Sequence, residues 1–356
     1  MSKKIDNKIL IIIIAILLVL ILGLGFYLLG LGPVDKSDDT DITVEIPTGT
    51  GASAIVQILD ENGLVKNKFC AKVNAKIGGY SSLQANTYIF KKSMSFREMM
   101  HAINTGDFDY ISKQTIQIKD GDRLQQIAEA AAIELPFSKK QILDKWSDRA
   151  YLKELIKKYW FLTDEILASN IMYPLEGYLY ADTYFVTTEN ASIEGFTEMA
   201  LDRMEEELSS RKDKIQASKW SFHKILTLAS IVTKESRAED QAEVAGVFMN
   251  RLDKHMSLGS DVTVCYIFQE DRVELKVSQL QSDSPYNTRK VAGLPPSPIC
   301  SVIGDAIDAT MNYKKTDNLF FFADNDGVVH FYKTQAQFEK GIEDIGLLKD
   351  DKNKDK

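Results

Sequence analysis

Residues 43–59 read TVEIPTGTGASAIVQIL, and residues 115–131 read TIQIKDGDRLQQIAEAA. Each begins as an alternating run, meets a glycine-containing turn, and continues with apolar residues at helical spacing. Alternation lays every second side chain on one face of a strand, whereas a spacing of three and four lays them on one face of a helix. The two copies form a weak internal echo of strand, turn and helix. They predict an α+β fold built of short strands and helices.

Outward from the first copy, Ile42 to Ile46 is the strand, and Pro47 and Gly49 end it. A helix begins over Ala54 to Leu59, with Ser53 as N-cap and Gly63 as its stop. NTYIF, residues 86–90, is a second strand. Ser95 and Glu98 in SFRE spell a capping box that opens a helix running to Gly106. After the second copy, Ser138–Tyr159 is a helical stretch rich in Lys, Leu and Trp. The boundary between a small first domain (42–110) and a larger second one (111–345) falls near residue 111. Asp326-Gly327 sits between two apolar strand runs in LFFFADNDGVVHFY, which marks a hairpin.

The chain has 356 residues, enough for two modest domains and a tail. A net charge of -8 leaves no strongly basic domain to neutralise phosphates, so no nucleic-acid partner is expected. Cys70, Cys265 and Cys300 form no CxxC pair and read as buried or idle thiols. No metal or organic cofactor is expected. His101, His223, His255 and His330 are scattered and read as structural or exposed. The sequence holds no phosphate-binding glycine loop, no G-x-S-x-G elbow and no H-E-x-x-H.

Ile9 to Leu31 is an almost unbroken apolar run without a charge. At ~1.5 Å per residue it can cross a hydrocarbon core of about 30 Å. Lys3, Lys4 and Lys8 precede it, and Asp35, Asp38, Asp39 and Asp41 follow it against Lys36 alone. The positive-inside rule then puts residues 1–8 in the cytoplasm and everything after Pro33 outside. A cleaved signal peptide needs a shorter apolar core and a small-residue cleavage site, and this run has neither in good form. The expectation is a single-pass helix at 9–31 in the cell membrane. Residues 32–41 read as a polar, acidic linker and 346–356 as a disordered tail.

In HKILTLASIVTKES, residues 223–236, the positions Ile225, Leu228, Ala229, Ile231 and Val232 trace a buried helix face. Glu235 comes next on that stripe, four after Ile231 and three after Val232. A carboxyl there loses hydration, which favours its protonated form and suits it to general acid work. The bland reading is an ion pair with Lys234, Arg237 or Arg251, or exposure at a frayed end. Ser236 and Glu239 suggest that the helix breaks and a second begins, with Val244, Val247, Phe248 and Leu252 as its apolar face.

Two further stretches could line a cleft. YNTRKVAGLPP, residues 286–296, joins Tyr286, Asn287 and Thr288 to a rigid Gly-Leu-Pro-Pro segment. An aromatic face suits a pyranose ring and the amide and hydroxyl suit its hydroxyls, although an ordinary surface turn has the same composition. LEGYLYADTY, residues 175–184, offers Glu176 and Asp182 as second carboxylates for a hydrolase pair, or else is a tyrosine-rich core segment.

Together, LEGYLYADTY, LASIVTKES, VAGVFMNRL, SDVTV, YNTRKVAGLPPSPI and LFFFADNDGVVHF resemble the endolytic murein transglycosylase family, also called MltG-like or YceG-like. They stand in the family's order over roughly residues 42–345. The resemblance makes Glu235 the catalytic position of an I-V-x-K-E pattern. Many relatives carry an extra glutamate where this chain has Thr233, so one candidate is left rather than two. The chain also departs from the pattern at Asp261-Val262-Thr263 (commonly Asp-Pro-Thr), at Ser297 (commonly Gly), near Ser301–Gly304 and at Asp120-Gly121.

The resemblance further implies a LysM-like first module at 42–110, followed by an α+β catalytic domain. It implies a lytic reaction on the bond between N-acetylmuramic acid and N-acetylglucosamine in nascent peptidoglycan strands, with the muramyl 6-hydroxyl closing a 1,6-anhydro ring. Tyr286, Asn287 and Thr288 would hold sugars, with Glu176, Asp261 and Thr263 as further substrate contacts. Asn250 and Arg251 would orient or charge-balance the site, and peptidoglycan synthases are the expected protein partners. Two other readings stay open: a noncatalytic, membrane-tethered wall-binding scaffold, and a muramidase pairing Glu235 with Glu176 or Asp182.

Overall fold

The computed structural model describes residues 7–187, 191–271, 275–324 and 326–345. Lys3, Lys4 and the tail expected at 346–356 lie outside the described residues. The chain forms two compact units, residues 1–114 with 185–191 and residues 115–184 with 192–356.

In the first unit, α1 (Asn7–Gly30) precedes β1 (Ile42–Ile46), α2 (Ala52–Glu61), α3 (Lys68–Ile77), β2 (Asn86–Phe90) and α4 (Phe96–Thr105). β1 and β2 pair antiparallel, Ile42 opposite Phe90 through Ile46 opposite Asn86. The alternation then works as it should: Val44, Ile46, Tyr88 and Phe90 share a core with Ile55, Val56, Leu59, Phe96, Met99 and Met100. The Ser95–Glu98 capping box closes in both directions, and Gly106 ends α4 in the left-handed region. The start of α2 is corrected: Gly51, not Ser53, is the N-cap residue.

Among the described residues, one helix is long and apolar enough to cross a membrane, over Ile11–Gly30. The acidic stretch after it, read as a linker, is strapped to the unit. Asp35 N–H donates to Lys92 O (3.1 Å), Ser93 N–H to Asp38 O (3.1 Å) and Lys92 pairs with Asp38 at 3.1 Å.

The chain passes between the units within β3 (Lys113–Gln117) and β4 (Thr183–Thr187). Between these strands lie α5 (Leu124–Glu134), α6 (Lys139–Ser147) and α7 (Arg149–Lys158). The helical stretch 138–159 is therefore two helices, because the Asp148 carboxylate accepts from Ala150 N and Tyr151 N and starts a new one. After β4 come α8 (Ile193–Leu208), α9 (Lys212–Gln216), α10 (Phe222–Glu235), α11 (Gln241–Asp253), α12 (Asp261–Phe268), α13 (Val277–Leu280) and α14 (Gly304–Met311). The hairpin β5 (Phe320–Ala323) and β6 (Val329–Tyr332) and then α15 (Gln335–Ile345) complete the unit.

α10 is the central helix of this unit. Ser221 caps it, residues Phe222 to Val232 are buried along most of their length, and α11, α12 and α14 pack around it. Each fully buried Leu or Ile on it contributes roughly 1.5–3 kcal/mol. Such a helix is a rigid mount for whatever its last residue carries.

A candidate active site at the end of the central helix

α10 ends at Glu235 because Ser236 is extended, at φ -144° and ψ 159°. The break falls where the sequence predicts, but its chemistry differs. Ser236 forms no capping box; its hydroxyl donates back to Val232 O at 3.1 Å. A short 3-10 turn, Ala238–Asp240, then leads into α11.

Glu235 is half-buried and lines a cleft of about 270 Å³. Phe248, Leu258, Phe321, Phe322 and Phe338 give the cleft its apolar wall, and Arg251, Ser260 and Asp261 its polar one. The loss of hydration expected for Glu235 is thus partial: a helix end with an extended next residue leaves the carboxyl at a polar boundary. The Ser260 hydroxyl donates to Glu235 Oε1 at 2.6 Å. Arg251 is the nearby cation, and burial pulls its guanidinium below its usual pKa while the Glu235 charge acts the other way.

Within SDVTV it is Ser260, more than Asp261 or Thr263, that holds the acid. Its place is fixed by a buried hydroxyl network. Ser260 N–H donates to Thr288 Oγ1 (3.2 Å), Thr263 Oγ1 donates to Ser260 O (2.8 Å), and the two threonine hydroxyls meet at 2.9 Å. Gly259 precedes it with φ +62°, and an added Cβ would sit 3.1 Å from Arg251 Nη1. The glycine therefore answers both a left-handed backbone and a close approach.

Arg251 Nε donates to Leu319 O at 2.6 Å, and its Nη1 donates to Leu258 O. The guanidinium lies 5.3 Å from the Phe320 ring centroid. Asn250 donates to Thr316 O (2.7 Å) and Asn318 O (2.9 Å). The Asn-Arg pair at the end of α11 thus ties the approach to β5, and with it the aromatic wall, to the helix that follows Glu235.

The expected sugar contacts divide. Asp261 lines the cleft and pairs with Arg289 at 2.5 Å. Tyr286, Asn287, Thr288 and Thr263 are all at most 1% exposed, so direct contact with a sugar gives way to a positioning role. The Tyr286 hydroxyl meets Ser297 Oγ at 2.6 Å and accepts from Met172 N. Asn287 Nδ2 donates to Leu280 O (3.0 Å) and Ser282 O (2.8 Å), closing its own loop. A polar side chain that completes a buried network leaves no group for a ligand. The Leu294-Pro295-Pro296 segment lines a different cleft, of about 470 Å³, with Trp220 and His223.

Glu176 is fully buried, accepting from Leu124 N at 2.8 Å and from the Tyr266 hydroxyl at 3.0 Å. Burial pushes its carboxyl up to about 8. It does not line the Glu235 cleft, and nor does Asp182, which pairs with Arg203 at 2.8 Å. Neither serves as a partner carboxylate there. Gly177 explains why this motif needs its glycine: at φ +83° an added Cβ would lie 2.5 Å from Pro298 Cβ.

Cys70, Cys265 and Cys300 are buried thiols. His223 sits between the Tyr178 hydroxyl and Pro296 O, each at 2.8 Å, and His330 meets Asp324 at 2.8 Å.

Fold and site together define an α+β protein with a carboxyl-bearing, aromatic-walled cleft at the end of a buried helix. The YceG-like family model matches residues 44–344, and the chain belongs to that family. It is similar to the endolytic murein transglycosylase of Bacillus subtilis (strain 168), 33% identical over 324 residues, covering 90% of this chain and 89% of that protein. It also resembles the endolytic murein transglycosylase of Streptococcus pneumoniae (strain ATCC BAA-255 / R6), 31% identical over 329 residues, covering 87% of this chain and 59% of that one. A crystal structure of a yceG-like protein from Listeria monocytogenes superposes with a TM-score of 0.62 at 32% identity, over 85% of this chain and 99% of that chain.

Proposed function

We propose that this chain is an endolytic lytic transglycosylase of peptidoglycan, with Glu235 as its one acid/base. The observation that carries the reading is a helix-end carboxyl, held by the Ser260 hydroxyl at 2.6 Å, in a cleft with an aromatic wall. Membership of a family whose relatives bear that activity in their names supports the reaction class.

The steps balance without water. Glu235 gives its proton to the glycosidic oxygen as the bond from the muramyl anomeric carbon breaks. The muramyl 6-hydroxyl attacks that carbon, and its proton passes to the Glu235 carboxylate, which restores the acid. One carboxyl serves both steps because the nucleophile belongs to the substrate and is present at high effective concentration. Phe321 and Phe322 offer ring faces to pyranose rings, and Ser260 holds the carboxyl in one orientation. Arg251 sets the local charge and anchors the aromatic wall.

The reading extends to location and modules. The helix α1 anchors the chain in the membrane with the two units outside, and the strand–helix–helix–strand order of 42–90 supports a LysM-like, wall-binding module. Synthesis enzymes of the same glycan are the expected partners.

The deciding experiment digests purified glycan strands and weighs the products. Transglycosylation gives fragments lighter by one water than hydrolysis, with 1,6-anhydro ends. Products of hydrolytic mass would make the chain a muramidase, with Asp261 as the second carboxylate in the cleft. No products at all, from protein held in lipid, would leave a tethered wall-binding scaffold.

A further inference from the structure

Two large apolar side chains stand out from α3, each 69% exposed: Phe69 on its outward face and Ile77 at the flank of that face, in the last turn. Lys72 and Lys76 are exposed on the same face at helical spacing, and Lys66 is exposed just before the helix. The side of α3 that carries Cys70 and Asn74, next to Ile77 and turned away from Lys72 and Lys76, is fastened to the last turns of α1. Asn74 Nδ2 donates to the Tyr27 hydroxyl at 2.9 Å, and Cys70 Sγ reaches Phe26 O at 3.9 Å. Gly30 makes the approach possible, since an added Cβ would lie 2.6 Å from Cys70 Sγ.

These contacts fix a level. The apolar window of α1 runs to Gly30, yet α3 meets α1 already at Phe26 and Tyr27. A bilayer that covers the whole window therefore reaches α3. We propose that α3 is a membrane-surface helix, with Phe69 and Ile77 at the acyl boundary and Lys66, Lys72 and Lys76 among anionic lipid headgroups. The inference rests on α1 being the membrane anchor. Continuity with that helix and the charge of the lysines argue for lipid as the occupant. A surface helix locked to a membrane-crossing one would fix the tilt of the first unit on the bilayer, where a flexible tether would leave it free.

The test uses the full chain in lipid nanodiscs, with a fluorescent label on Phe69→Cys, on Ile77→Cys or on Ile16→Cys in the middle of α1. Labels at 69 and 77 are expected to be quenched by headgroup-nitroxide lipid and shielded from aqueous iodide. Quenching should be stronger with phosphatidylglycerol than with phosphatidylcholine alone. Lys72→Glu with Lys76→Glu should weaken that preference by about fivefold for each lysine lost, the equivalent of ~1 kcal/mol near an anionic surface. If the label at 16 is quenched by mid-chain nitroxide while those at 69 and 77 stay open to iodide, the surface helix is refuted and the anchor stands. If the label at 16 is not quenched, the anchor fails and the proposal with it. Shielding of 69 and 77 only on adding soluble glycan strands would make the face a glycan site and overturn the lipid assignment.

Discussion

At the scale of single residues, the weight falls on Glu235 and the group that holds it. Glu235→Gln keeps the shape and the acceptor for Ser260 but removes the transferable proton, so turnover should fall by about 10²–10⁴-fold with the fold unchanged. Ser260→Ala leaves the acid in place and removes one 2.6 Å hydrogen bond. A fall in kcat of about tenfold with KM nearly constant is expected, because the bond orients the acid rather than the sugar. Anhydro-product release from purified glycan measures both.

Glu176 makes a different prediction. Its folded carboxyl is raised by burial from the ordinary 4.5 to about 8, so it stays protonated where the unfolded chain ionises. Its contribution to stability is whole below about pH 4.5 and drains away as pH rises toward 8, with a slope approaching ~1.4 kcal/mol per pH unit. Glu176→Gln keeps an acceptor for Leu124 N–H and sets an amide beside the Tyr266 hydroxyl. It should flatten that slope, which urea midpoints from pH 5 to 8 would reveal; an unchanged slope would assign the loss to another group.

At the scale of elements, the site depends on how α12 and the β5–β6 hairpin are tied to α10 and α11. Thr288 Oγ1 serves Ser260 N–H and Thr263 Oγ1 at once. Thr288→Val keeps the volume but strands the buried Ser260 N–H, while Thr263 Oγ1 keeps its bond to Ser260 O, costing about 1–3 kcal/mol. It should also lower turnover as Ser260 drifts, a double effect that calorimetry and product assays can separate from simple unfolding by working well below the melting temperature. The hairpin turn shows how an element can be legible in outline only. Asp326-Gly327 marks it in the sequence, but β5 ends at Ala323 and β6 begins only at Val329, because the Asp324 carboxylate gathers the N–H groups of Asp326 and Val328 and meets His330. Composition names the turn, while a side chain two residues upstream sets its width.

At the scale of the whole molecule, the core of the first unit takes in Leu31, the residue just after α1, with Tyr27 of α1 packed against it. Leu31 is 2% exposed, and Phe96 N–H donates to Leu31 O at 3.0 Å. Leu31→Ala in the full chain should therefore cost that unit about 2–5 kcal/mol. Hydrogen exchange in β2 and α4 would quicken, while α10 in the other unit keeps its protection. Equal loss in both units would show that they unfold as one.

Much of this was written in local pattern. The alternation of 42–46 and 86–90, the capping box at Ser95, the apolar window of α1 and the stripe that leads to Glu235 each follow from one short segment, because propensity, capping and periodicity act within a few residues. The tertiary structure alone decided which polar residues face the cleft. Tyr286, Asn287 and Thr288 have the side chains of a sugar site yet are sealed in the interior, whereas Ser260, the first residue of SDVTV, holds the acid. A hydroxyl or amide has the same composition whether it serves ligand or loop. Burial and partners, which come from segments far apart in the chain, determine which it does.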